Sequence, residues 1–162
     1  MRIRHSRKDD LGEIMALYAS ARKFMQSNGN PTQWINGYPQ RELIAREIYE
    51  GKSFVCMDGD VIAAVFSLIC GEEPTYQEIY EGQWMNERPY GTIHRICVGE
   101  RRKGVAEFCL RWCLEQCGNI RIDTHQDNLP MQNLLKKCGY TYCGWIKIED
   151  GSKRVAFQKV KE

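Results

Sequence analysis

Residues 96–106, ICVGERRKGVA, constrain the fold more than any other part of the chain, because they join a strand pattern to a helix pattern. Residues 92–98 are rich in β-branched side chains, which is typical of a strand. Residues 103–117 place apolar side chains at helical spacing and so predict a helix. A strand that runs directly into a helix is a building unit of sheets covered by helices. The segment therefore predicts a fold in which helices pack on a central sheet.

The start of this predicted helix is a candidate anion-binding site. The first N–H groups of a helix have no intrahelical acceptor, and they lie at the positive end of the helix dipole. Three cations, Arg101, Arg102 and Lys103, precede Gly104 here. Cations at this end oppose the dipole by about 0.3–1 kcal/mol each. They therefore favour an anionic ligand such as a phosphate, with a solvated basic helix start as the alternative.

Strand and helix patterns cover the rest of the chain without a linker, an internal repeat or a low-complexity tract. Their order predicts an α/β fold (mixed α+β) with a mixed central sheet of about seven strands and helices on both faces. The units at residues 92–124 and 119–148 predict parallel or crossover connections. The predicted strands are residues 2–7, 53–57, 61–69, 92–98, 119–124, 140–148 and 154–160, and the predicted helices are residues 11–25, 41–49, 103–117 and 130–138.

Length and composition are those of an ordinary globular protein. With 162 residues, 43% hydrophobic and 27% charged, the chain fits a single domain over residues 1–162. Its longest apolar stretch, residues 61–70, is far shorter than the about 20 residues that a membrane helix needs. The charged first residues lack the apolar centre of a signal peptide. We therefore expect a cytoplasmic protein with no membrane partner, and a net charge of +2 gives no reason to expect nucleic acid.

The eight cysteines show neither a C-x-x-C pair nor a Cys/His cluster, so we expect reduced thiols and no metal site. Cys109, Cys113 and Cys117 would share one face of the helix at residues 103–117. Because Leu110 and Leu114 belong to the same apolar stripe, core packing is favoured over metal binding.

Two motifs resemble those of the GNAT superfamily of acetyltransferases. The run R-R-K-G-V-A at residues 101–106 is similar to the Q/R-x-x-G-x-G/A loop with which that family holds the pyrophosphate of acetyl-CoA. Residues 123–140, DTHQDNLPMQNLLKKCGY, resemble the family's next motif, a strand followed by an Asn, a short helix, and a Gly with an aromatic residue. The element order also agrees with that family. The resemblance implies a three-layer sandwich that uses acetyl-CoA as co-substrate to acetylate an amine.

The resemblance also implies which residues bind acetyl-CoA. The backbone of residues 96–98 would pair with the pantetheine arm, and residues 101–106 would wrap the pyrophosphate. Asn128 matches the motif's Asn, which contacts the cofactor, and Lys137 would reach a phosphate unless it lies on a solvated helix face. The implied cofactor-binding residues are Ile96, Cys97, Val98, Arg101, Arg102, Lys103, Gly104, Val105, Ala106, Asn128 and Lys137.

The proton donor of many GNAT enzymes is missing from its usual position. That position, seven residues after the motif's Asn, is a Tyr in many members and is Leu135 here. Tyr140 and Tyr90 are candidate replacements. Losing one general acid costs roughly 10²–10⁴ in rate, whereas positioning the reactants can be worth effective molarities of about 10⁵ M. A catalytically silent acyl-CoA-binding regulatory module is therefore the alternative to an active enzyme.

His94 is the candidate general base that would take a proton from the amine. An imidazole titrates near neutral pH, and the resemblance places the strand of His94 beside the thioester. A hydrogen-bonded structural histidine is the alternative.

Aromatic residues mark candidate substrate contacts. Trp34 lies in a loop-like segment, and Trp84 and Tyr90 lie in residues 72–90, a stretch rich in rings and glutamates. Such a stretch suits a cationic amine of a small molecule or a peptide, although the same rings could cover the edge of a core. A nucleotide or phosphopeptide binder that uses the basic loop alone is a third hypothesis. The chain could be a monomer or a homodimer.

Overall fold

The computed structural model describes residues 1–99 and 103–162. Seven strands and four helices lie in that part of the chain, and their boundaries fall within two residues of those predicted. The strands are β1 Arg2–His5, β2 Ser53–Asp58, β3 Val61–Cys70, β4 Gly91–Val98, β5 Asn119–Thr124, β6 Thr141–Lys147 and β7 Lys153–Val160. The helices are α1 Leu11–Ser27, α2 Arg41–Tyr49, α3 Val105–Cys117 and α4 Leu129–Lys137.

The strands follow the hydrogen-bonded order β1–β2–β3–β4–β5–β7–β6 in one mixed sheet, which confirms the predicted fold class. By its internal contacts the chain divides into two compact units. The first unit is Met1–Leu68 with His94–Trp112, and the second is Ile69–Ile93 with Cys113–Glu162. That residues 1–162 form one domain stays a prediction.

In the first unit, helices cover both faces of the antiparallel strands β2 and β3. Val55 and Met57 of β2 belong to a buried cluster with Ile14 of α1 and Ile44 of α2. Phe54, on the other face, contacts the ring of Trp112 of α3, at 5.2 Å between centroids. Because successive strand residues point to opposite faces, α1 and α2 lie on one face of these strands and α3 lies on the other.

In the second unit, β7 lies between β5 and β6 and is antiparallel to both. The helix α4 therefore connects two strands that run in the same direction but are not neighbours. At the start of β4, Gly91 pairs with Ile120 and Thr92 with Arg121, in parallel, as the strand–helix–strand pattern predicts. A second buried cluster contains Tyr76, Ile146 and Ala156, with Trp84 and Tyr90 packed against it. The aromatic stretch thus supplies much of this unit's core.

The cysteine-rich face of α3 is buried at Cys109 and Cys113 and partly exposed at Cys117. Cys109 and Cys113 are fully buried, and Leu110 and Leu114 lie beside them. All eight cysteines are free thiols. Within residues 1–99 and 103–162, no group of three Cys, His, Asp or Glu side chains is arranged to hold a metal ion. Over the same residues, no helix has both the length and the apolar character needed to cross a membrane.

Candidate active site

The turn between β4 and α3 ends in a left-handed glycine. Gly104 has φ +79°, and a Cβ added there would meet no atom within 4 Å. The position therefore requires glycine for its backbone conformation and not for lack of space. Lys103 and Gly104 are exposed, whereas Val105 is buried and anchors the helix start. Arg101 and Arg102, both predicted to bind the pyrophosphate, lie outside the described residues.

The first turn of α3 has the donors that an anion requires. Phe108 N donates to Gly104 O at 3.0 Å, which closes a helical turn within the part of the chain that the structure describes. The N–H groups of Val105 and Ala106 precede it, at the end where a helix has donors without intrahelical acceptors and a positive dipole. Gly104, Val105 and Ala106 of the predicted set are therefore brought together at one helix start.

Arg95 interrupts the regular backbone of β4. Its φ of +54° is in the left-handed region, which costs a residue with a Cβ roughly 1–2 kcal/mol. The alternation of buried and exposed residues along β4 is also lost at this place. Ile93 and Cys97 are buried, and the three residues between them are all partly exposed. A left-handed residue inside a strand re-aims the side chains beside it, as in a β-bulge. His94 and Ile96 are those neighbours.

The Arg95 side chain explains how this conformation is held. Its Nη2 donates to both carboxylate oxygens of Glu47 at 2.5 Å and to Ser67 Oγ at 3.1 Å, and its Nη1 donates to the Tyr38 hydroxyl at 2.9 Å. Ser67 in turn donates to Glu47 Oε1 at 2.6 Å. Only 8% of the Arg95 side chain and 6% of the Glu47 side chain is exposed. We call these four residues the Arg95 cluster.

The Arg95 cluster was not predicted from the sequence. Burial alone would lower the pKa of the guanidinium, but the Tyr38 and Glu47 oxygens raise that pKa above its usual value, so the charge is permanent. The available signal was Glu47, which lies three residues after the buried Ile44 and so shares the apolar face of α2. A carboxylate on such a face calls for a buried cation.

His94 lies next to this cluster in a poorly solvated position. Burial, followed by the positive charge of Arg95, lowers the pKa of His94 to about 4, with Glu47 acting in the opposite direction. The imidazole is therefore neutral at pH 7, which leaves it able to accept a proton. Burial likewise raises the pKa of the Cys97 thiol to about 12, so that this side chain stays protonated. Ile96 and Val98 are partly exposed.

The aromatic substrate candidates lie in or against the buried clusters of their units. Trp34 is buried, with its ring edge-on to those of Tyr18 and Tyr38 at 5.7 and 6.4 Å. Trp84 and Tyr90 hold an internal cation, since the Arg121 guanidinium lies 4.4 Å from the Trp84 ring and 4.1 Å from the Tyr90 ring. Cation–π contacts of this kind are what the sequence suggested for a substrate amine, but here they bind a side chain of the protein.

The remaining candidates belong to the second unit and lie around α4. Asn128 precedes the helix, and its side chain accepts a hydrogen bond from Met131 N at 3.2 Å, as a helix cap does. Lys137 is exposed in the last turn, and Leu135 is fully buried. Tyr140 is buried too; within the described residues its hydroxyl has no hydrogen-bond partner, and burial raises its pKa.

The chain is similar to known acetyltransferases along nearly its whole length. Residues 14–140 match the Acetyltransferase (GNAT) family. An acetyltransferase of the GNAT family from Streptococcus agalactiae has 35% sequence identity and a TM-score of 0.92, over 99% of this chain and 95% of that one. No curated protein matches the sequence.

More distant solved structures share the fold. Ribosomal-protein-alanine N-acetyltransferase from Brucella melitensis has 16% identity and a TM-score of 0.65, over 99% of both chains. A chain of the NatC complex bound to Gag peptide and CoA has 15% identity and a TM-score of 0.56, over 100% of both chains. The family suggested by the two sequence motifs is thus confirmed: this protein belongs to the GNAT family of acetyltransferases and is an acyltransferase.

Proposed function

We propose that this protein transfers an acetyl group from acetyl-CoA to a primary amine of a small molecule or a peptide, without a metal ion. The observation that carries the proposal is the start of α3. The left-handed Gly104 leads into this helix, and the N–H groups of Val105 and Ala106 lie before the hydrogen bond from Phe108 N to Gly104 O. Three cations at residues 101–103 supply the charge that a pyrophosphate requires. The sequence motif, the turn geometry and the family point to the same ligand.

Acetyl-CoA would be held mainly by the first unit. The N–H groups of Val105 and Ala106, with the cations at residues 101–103, would bind the pyrophosphate. The backbone of residues 96–98 would pair with the pantetheine arm. Asn128 and Lys137 are weaker members of this set, since the Asn128 side chain already caps α4.

In the proposed reaction the amine must first lose a proton. The neutral imidazole of His94 is the proposed acceptor, directly or through a water molecule. The neutral nitrogen then attacks the thioester carbonyl and the C–N bond forms. As the adduct collapses, the C–S bond breaks, the nitrogen releases its remaining extra proton to solvent, and the CoA thiolate leaves and takes up a proton. Because an imidazolium with a pKa of about 4 releases its proton readily, His94 is a weak base, and positioning of the reactants supplies most of the acceleration.

The departing thiolate must take up a proton. Leu135 has no proton to give and is fully buried. Tyr140 is the proposed acid by its residue type, although burial raises the pKa of its hydroxyl and so makes it a weak proton donor. A Tyr140→Phe variant that keeps the wild-type kcat would remove it from the mechanism and leave solvent as the donor.

A test of the proposed function measures binding and turnover separately. Isothermal titration with acetyl-CoA should show saturable binding, and thiol release over a panel of primary amines should show turnover with at least one. Binding without turnover would favour the silent regulatory module, which the buried Leu135 supports. Thermal stabilisation by ATP but not by acetyl-CoA would favour the nucleotide binder.

His94 is tested by its effect on the pH–rate profile. A His94→Gln variant should lose the acidic limb of kcat/KM that the imidazole causes, together with part of kcat. A variant with the wild-type profile and turnover would eliminate His94 as the base.

A further inference from the structure

Arg95 combines a left-handed backbone with a buried and strongly bound guanidinium. Its φ is +54°, in the middle of a strand, and its side chain reaches α2 through Glu47, β3 through Ser67, and the loop before α2 through Tyr38. Backbone strain of this kind persists only where the surroundings over-determine it. The Arg95 cluster supplies those surroundings.

We propose that Arg95 is a positioning residue, which fixes the backbone of residues 94–98 for acetyl transfer by anchoring it to α2 and β3. This inference rests on the proposed function for its purpose, and on the geometry of the Arg95 cluster for its mechanism. Arg95 itself is not assigned any contact with the reactants.

The geometry links the cluster to the chemistry through two neighbours. In a regular strand, Ile93, Arg95 and Cys97 would share one face. The left-handed φ of Arg95 breaks that alternation, and it therefore sets the orientation of the neighbouring residues His94 and Ile96. If Arg95 relaxed to an extended φ, its guanidinium would have to leave both Glu47 and Ser67. The hydrogen bonds of the side chain therefore select the backbone conformation.

A purely structural role would not account for this choice of residues. A buried ion pair rarely stabilises a fold more than apolar residues of the same volume would. Its defining property is directional, because a guanidinium that donates to three different side chains fixes the position of its own main chain more strictly than an apolar side chain does. The expected consequence of weakening it is thus a loss of order in β4 that exceeds the loss of overall stability.

Glu47→Gln and Arg95→Lys are the variants that test the proposal. Gln keeps the shape of Glu47 but removes its charge, and Lys keeps the charge of Arg95 but loses the fork that joins three partners at once. Glu42→Gln and Arg46→Lys are matched controls, because both residues are exposed on the same helix. Tyr38→Phe removes a single hydroxyl and serves if the stronger variants do not fold.

Three readouts separate positioning from folding. Amide hydrogen exchange within residues 94–98 should accelerate about tenfold or more in both variants. The kcat should fall about tenfold. The KM for acetyl-CoA should change less, because the proposed pyrophosphate site at the start of α3 is untouched and only the proposed pantetheine contacts of residues 96–98 are loosened. The charged groups that face His94 are Arg95 and Glu47, so Glu47→Gln should move the His94 titration, followed by NMR, to lower pH. Tyr38→Phe should accelerate the exchange within residues 94–98 and lower kcat by about threefold.

Variants that melt earlier but keep wild-type exchange at residues 94–98, the wild-type His94 titration and the wild-type kcat would overturn the proposal. The double variant should be no slower than the slower single variant, since both act on one cluster. If exchange and titration respond while the wild type transfers no acetyl group to any amine, positioning of β4 stands and the proposed function falls.

Discussion

The N-termini of α3 and α4 meet the same electrostatic need in opposite ways. At α4, the Asn128 side chain accepts a hydrogen bond from the first turn, and Lys136 and Lys137 lie in the last turn, where the dipole favours cations. At α3, Gly104 has no side chain to offer, and Lys103 lies at the end that the dipole disfavours. The helix α4 is thus capped by a side chain of the protein itself. For α3 we propose an anion from outside, since Glu107, the acidic residue of its first turn, pairs with Arg111 at 3.1 Å. Basic residues indicate a ligand only at the end where they oppose the helix.

The largest expected effect comes from removing the charges before α3. Replacing Arg101, Arg102 and Lys103 together by Gln should raise the Kd for acetyl-CoA by about 100-fold or more. Each charged contact to a phosphate is worth about 1.5–3 kcal/mol, and the loss of two such contacts already corresponds to that factor. Without ligand the variant should be as stable as the wild type or slightly more stable, because the opposing charges are gone. Titration calorimetry and thermal melting without ligand measure the two effects. A variant that loses stability without ligand but keeps its affinity for acetyl-CoA would show that the start of α3 does not differ from that of α4 in the way described.

A smaller effect is expected at the capped helix. Asn128→Ala should lower the free energy of unfolding by about 1 kcal/mol, since Met131 N loses its acceptor. The Kd for acetyl-CoA should change less than about threefold, and Asn128→Ser should restore the stability because it restores the cap. Denaturant melts and calorimetry on the same samples measure both. A tenfold loss of affinity at unchanged stability would instead make Asn128 a cofactor ligand.

The smallest effect should come from the end of α4. Lys136→Gln should lower the free energy of unfolding by about 0.3–1 kcal/mol, because this charge in the last turn of α4 favours the dipole. This change in stability has the opposite sign to the one expected for residues 101–103. The opposite signs distinguish the two helix ends most clearly. If urea melts show a gain in stability at α4 as well, the dipole argument fails at both ends.

Local patterns in the sequence predicted most of the fold, because helices and strands are set by periodicity and by turn residues. The burial of Cys109 and Cys113 on α3 follows from such a pattern. The position of β7 between β5 and β6 does not, because strand order depends on pairing between distant segments.

The candidate site could likewise be predicted only where a local sequence motif encodes it. The turn at Gly104 has a local motif, so it was found from the sequence. The Arg95 cluster joins β4 to residues up to 57 positions earlier, and no local pattern encodes its left-handed φ. The sequence predicted that the rings of Trp84 and Tyr90 contact a cation. The structure identifies that cation as Arg121.

Binding of acetyl-CoA to Gly104→Ala and Gly118→Ala variants tests the central claim most directly. Both glycines have a positive φ, +79° and +72°, both have nothing within 4 Å of an added Cβ, and they flank the two ends of α3. The strain of Ala should therefore destabilise both proteins by similar amounts, about 1 kcal/mol. We expect calorimetry to show at least an about tenfold weaker affinity for acetyl-CoA in Gly104→Ala and the wild-type affinity in Gly118→Ala. Equal affinities in the two variants would contradict the assignment of the α3 start as the pyrophosphate site.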